Sequence, residues 1–95
     1  MIARQIRWSD AQAMAWQYPD TFQAPTKKML DKIRSGDAVM VSANDQERFW
    51  LLVEKVEGDE IVGTVNNHLV MVPLRFGERV TVEKRNVYNV SKPKK

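Results

Sequence analysis

The sequence contains no cysteine, which rules out a disulfide framework and a thiolate metal site and fits a reducing compartment. No stretch approaches the roughly 20 apolar residues needed to cross a bilayer. The N-terminal segment MIARQIRWSD also lacks an apolar run of signal-peptide length, so a cytoplasmic protein with no membrane partner is expected. Glycine is scarce: the four present stand isolated at 36, 58, 63 and 77, so no glycine-rich loop exists to cradle a phosphate. There is one histidine, no internal repeat and no low-complexity tract. The middle of the chain is short of positive charge. Residues 36–83 hold nine acids against four Lys/Arg, whereas residues 84–95 hold five Lys/Arg and no acid, and residues 1–35 hold six Lys/Arg against three acids. The overall excess of +3 therefore belongs to the ends.

What is present is enough for one domain. Ninety-five residues leave no room for a second core. The pattern divides them into a helical arm (1–35), a β-rich segment (36–90) and a solvated basic tail (91–95). Ser9 and Gln12 have the spacing of a capping box, and Ala11, Met14, Ala15 and Tyr18 recur on one face of a short helix that Pro19 stops. A proline-bracketed connector carries Phe22, and Thr26 then caps a second helix, KKMLDKIRS, which Gly36 ends. From Gly36 onward the apolar period changes from 3.6 to 2. Strands are expected near 39–43, 48–56, 61–65, 68–72 and 80–83, with Asn86–Val90 closing the fold. Gly58-Asp59 suits a tight hairpin, Asn66-Asn67 a second one, and Gly63 a bulge or a close backbone approach.

Short strands at hairpin spacing suggest a mainly β fold with two short N-terminal helices. The expected architecture is a small five-stranded SH3-like barrel. The segment RFWLLVEKV is apolar on both sides of the strand. Phe49, Leu51 and Val53 point one way, toward the interior, and Trp50 and Leu52 the other. A strand apolar on both faces is normally covered on both. The helical arm is expected to pack over Trp50 and Leu52; left uncovered, Trp50, Leu52 and Trp16 would form a patch for a protein partner.

The run Arg48-Phe49-Trp50, with Val53, Val56, Gly58-Asp59, Ile61, Gly63, Val65, Asn67, Leu69, Leu74, Gly77 and Val80, resembles the bacterial family known as "domain of unknown function 2314". Tyr18-Pro19-Asp20-Thr21-Phe22, Ala24-Pro25-Thr26, Gly36-Asp37 and Asn86-Val87-Tyr88 resemble its branch of small chromosomal, plasmid and prophage proteins. The likeness spans about residues 10–90. In that family the barrel ends in an Ile-Ser-Asp-Trp-like segment, which Asn86-Val87-Tyr88-Asn89-Val90 replaces here. The resemblance implies the barrel and a mobile-element setting, and it carries no catalytic residue.

No constellation for chemistry is visible. His68 has amides rather than carboxylates as polar neighbours in sequence, and Glu54, Glu57, Asp59 and Glu60 share one solvated hairpin, which gives all four the same setting and no acid–base pair. No cofactor is implied and no enzyme is expected. The leading expectation is a non-catalytic interaction module, monomeric or weakly dimeric, with a protein partner. The alternative is a nucleic-acid-binding accessory protein that contacts its ligand through Arg48, Arg75, Phe76, Arg79, Lys84 and Arg85, pairing cations with aromatic platforms.

Overall fold

The computed structural model describes residues 6–93. Two short helices, α1 (Ala11–Gln17) and α2 (Lys27–Asp31), precede β1 (Ala38–Ala43), β2 (Glu47–Glu57), β3 (Glu60–Val65), β4 (Arg79–Glu83) and β5 (Asn89–Ser91). The strands form one antiparallel sheet in the order β4-β3-β2-β1-β5.

The sheet is open, which corrects the SH3-like barrel expected from the sequence: β4 and β5 are its two edges and do not pair with each other. A 3-10 turn, Lys84–Asn86, carries the chain from one edge to the other. Residues 68–72 form no strand. The amides of Val70, Met71 and Val72 instead bond to the Glu47 carboxylate, which removes a strand that closure would have used. The outer edge of β1 is shared. β5 takes Ala38–Met40, and farther along the N-terminal segment bridges Trp8 to Ala43, with the Ser9 amide donating to the Ser42 carbonyl at 2.9 Å.

Odd positions of the long strand face the core. Phe49, Leu51 and Val53 are buried and pair across to Val41, Val39 and Gly63, while Leu51 also faces Val65. The register shifts between Val53 and Lys55, so that beyond this bulge Val56 lies on the core side opposite Ile61. Gly63 sits against the bulge, where an added Cβ would come within 2.7 Å of the Leu52 carbonyl oxygen. The missing side chain is what lets the two backbones approach. At the hairpin tip Glu57 pairs with Glu60 across the Gly58-Asp59 loop, with Gly58 in the left-handed region at φ 60°.

Because the sheet does not curl shut, its apolar face is covered by segments outside the ladder. Leu30 and Ile33 from the arm, Val72 and Leu74 from the β3–β4 connection, and Val87 complete the buried cluster, with Trp8 and Leu69 packed against it. The Trp8 and Phe49 rings lie 6.0 Å apart. The arm therefore packs on the face opposite Trp50 and Leu52, and the expected cover over those two side chains is corrected accordingly.

Helix ends follow local hydrogen bonding. Thr26 caps α2 as expected, accepting from the Met29 amide at 3.2 Å. The helix stops at Asp31, because Lys32 and Ile33 tighten to i→i+3 bonds that turn Ile33 into the core. Asp10 caps α1 in place of Ser9, accepting from the Ala13 amide at 3.0 Å. Ser9 is unsuited to the capping box, since its own amide is committed to β1, and Gln12 donates instead to the Pro25 carbonyl at 2.9 Å. Nor is the expected solvated tail loose at its start. Ser91 belongs to β5, and the Lys92 ammonium reaches the buried Asp37 carboxylate at 2.5 Å; residues 94–95 lie outside the described residues.

Candidate functional site

Even positions of β1 and β2 build the face that the core leaves free. Met40 pairs with Trp50, and Ala38 with Leu52, which pairs in turn with Thr64 and thus lies in line with Arg79. Leu52 is 43% exposed, and Ala38, Met40, Trp50 and Val62 are half-buried around it. The result is an apolar centre on a sheet surface with polar and charged side chains at its margin. At one end of this face Arg48 lays its guanidinium over the Tyr88 ring, 5.0 Å from the centroid, and Phe22 meets Tyr88 edge-on at 5.2 Å. Met14 lines a small groove with Ser42, Arg48 and Tyr88. Among the described residues the arm and its connector meet this face at the Arg48 end, which accounts for the burial of Ser42 at an outward-facing position.

The other residues singled out in the sequence are scattered. Trp16 is 88% exposed on the side of α1 away from Ala11, Met14 and Ala15, so helix geometry turns it outward, away from the body of the protein. Arg75 and Phe76 sit in the β3–β4 connection, where the Phe76 ring stacks on His68 with centroids 5.0 Å apart. Arg79 is paired with Glu54 at 2.8 Å, Lys84 with Asp31 at 3.4 Å and Arg85 with Glu83 at 3.0 Å. The cations expected to meet phosphate are thus distributed over two faces and a loop, and most already hold a carboxylate or a ring. Lys84, Arg85, Asp31 and Asp59 line a groove of about 370 Å³ together with Leu30, so both signs of charge are present in it. Lys27 and Asp31 pair at 2.8 Å there; the shared hydrogen bond raises the lysine pKa and lowers that of the aspartate. Among the described residues no three His, Asp or Glu side chains are grouped as a metal ligand set would be.

One residue that pattern reading passed over organises a whole segment. Both oxygens of Glu47, the first residue of β2, accept backbone hydrogen bonds from Val70 (2.9 Å), Met71 (2.8 Å) and Val72 (3.0 Å). Three amides in succession make an anion-binding nest, and the bonds, that from Val70 foremost, hold the Glu47 pKa below the ordinary glutamate range. The sequence pattern starts the long strand at Arg48 and gives Glu47 no role. The available signal was a valine-rich run, 70–72, too close to Pro73 to continue as a strand. Asn67 acts similarly, with its side-chain oxygen accepting from the Trp50 amide at 2.7 Å, so Asn66-Asn67 fastens the connection to β2 in place of the expected tight turn.

Among the described residues no helix is long and apolar enough to cross a membrane. Comparison with protein-family models, with curated proteins and with solved structures yields no match for this chain.

Proposed function

We propose that this protein is a non-catalytic interaction module that docks a protein partner on the open face of its sheet, around Trp50 and Leu52. The observation that carries this reading is a large apolar side chain, Leu52, left exposed in mid-sheet while the helical arm covers the other face. The size of the face supports a weak or transient contact. Five strands about 4.8 Å apart and about five residues long at about 3.3 Å each make a flat patch of about 400 Å². A standard interface takes about 800 Å² from each partner. The isolated chain is read as a monomer or weak homodimer, and the reading keeps the cytoplasmic location expected from composition and the bacterial mobile-element setting that the family resemblance implies.

A nucleic-acid partner has less support. A phosphate-binding surface needs cations free to displace counterions, whereas Arg79, Lys84 and Arg85 face carboxylates and Arg48 faces Tyr88.

Affinity capture with the wild-type chain, Trp50→Ala and Leu52→Ala tests the proposal. Both variants should keep the wild-type circular dichroism spectrum and lose a partner that the parent retains. Folded variants that hold every partner would remove the open face from consideration. Tight oligonucleotide binding at low salt that weakens steeply with added salt would favour the alternative instead.

A further inference from the structure

The segment 66–78 between β3 and β4 is the longest stretch without regular structure among the described residues that follow β1. Its stem is fixed: the Asn66 amide donates to the Trp50 carbonyl at 2.9 Å, and the Gly77 amide to the Val65 carbonyl at 2.6 Å. Just inside the stem the His68–Phe76 stack closes the base of the loop. Beyond that stack the loop has two sides. Leu69, Val72 and Leu74 lie on the core, as a lid would, while Val70 (87% exposed) and Met71 (57% exposed) face solvent. The outer side therefore adds no burial to hold the tip down. Besides the apolar contacts of its inner side, the tip is tied down by the carboxylate of Glu47, which receives three consecutive amides on its two oxygens.

We propose that Glu47 is a latch, and that residues 68–76 open and close over the apolar core as one unit about it. The latch is mounted on the sheet: Glu47 pairs with Ala43 of β1, and β2 is held on its other side by β3 from Leu51 onward. Bonds from consecutive amides to a single acceptor make and break together, so the loop has a latched arrangement and an unlatched one, with little between. Unlatching lifts Val72 and Leu74 from the core and uncovers apolar surface that the closed protein hides. The device is independent of what docks on the open face, which lies on the other side of the sheet.

Amide hydrogen exchange on the full chain, read residue by residue for wild type, Glu47→Ala and Glu47→Gln, tests it. In Glu47→Ala the amides of Val70, Met71 and Val72 should exchange about tenfold faster or more, as expected when charged acceptors are lost from an exposed loop. The amides that pair β1 with β2 should keep their wild-type rates. Glu47→Gln retains the side-chain length and one acceptor oxygen, so it should show a smaller acceleration at the same three amides; it supplies the comparison if Glu47→Ala does not fold. Unchanged exchange at residues 70–72 would overturn the proposal. So would an equal acceleration at every amide, because that reports global destabilisation and no separate opening of the loop.

Discussion

Leu51 and Leu52 are neighbours in one strand, with the same side chain and the same backbone conformation, yet the first is fully buried and the second is 43% exposed. Strand parity alone puts them on opposite faces of the sheet. The difference in burial comes from what each face meets. Arm, loop and 3-10 turn converge on the odd face, and among them Leu30, Val72, Leu74 and Val87 close over it. Among the described residues the even face is met by Met14, Phe22 and Tyr88, at its Arg48 end. Alternation therefore tells which side chains go together, and the irregular segments decide which set becomes the core.

Substitutions on the two faces should break or sharpen that contrast. Phe49→Ala is the largest: removing a buried ring at the centre of the odd face should cost about 3–5 kcal/mol, out of a total of roughly 5–14 kcal/mol for a chain of this length. A denaturation midpoint equal to wild type would mean that the core lies elsewhere. Leu51→Ala should follow at about 2–5 kcal/mol. Gly63→Ala touches both strands at the bulge, where the new methyl would sit 2.7 Å from the Leu52 carbonyl oxygen. Backbone must move to admit it, and a loss of about 1–3 kcal/mol in urea denaturation is expected. Leu52→Ala, one position from Leu51, should cost under about 1 kcal/mol, and a cost matching Leu51→Ala would show that the even face is covered after all.

The smallest effect concerns acid. The folded-state pKa values of Glu47 and Asp31 lie below the ordinary carboxylate range, Glu47 because of the amides that donate to it and Asp31 because of the hydrogen bond from Lys27. The unfolded chain then binds protons more readily than the folded one, so these contributions are fully present above about pH 4.3 and fade as pH falls through the folded values. Thermal melts of Glu47→Gln should lose part of that acid dependence. A melting profile between pH 5 and 2 identical to wild type would separate Glu47 from it.

Local features of this fold were readable wherever nearest neighbours in the chain decide them. Thr26 caps the second helix because the amide it serves is three residues away, and Gly58 takes the hairpin turn because its φ is needed there. The side-chain parity of Phe49 through Val53 and the close approach at Gly63 are likewise consequences of local spacing. Sheet closure was not readable in this way. It depends on whether the amides of Val70–Val72 find a strand or a carboxylate 23 to 25 residues away, and periodicity carries no record of that partner. The same holds for Ser9, whose capping pattern is locally sound but whose amide is claimed by Ser42. The site residues show both limits. Trp50 and Leu52 share a face as their spacing implies, whereas Trp16 is turned away from the body of the protein.

The unequal charge along the chain has a consequence for how any partner arrives. Arg7 is set near Asp45, Lys92 against Asp37 and Lys84 against Asp31, so cations from both terminal segments lie beside acids remote in sequence. A molecule approaching from a distance meets these as short dipoles whose fields cancel within about a Debye length of 10 Å. Long-range steering is then left to the +3 excess, so an acidic partner should associate somewhat faster than the unsteered value of about 10⁵–10⁶ M⁻¹s⁻¹, and that advantage should fade as salt is added.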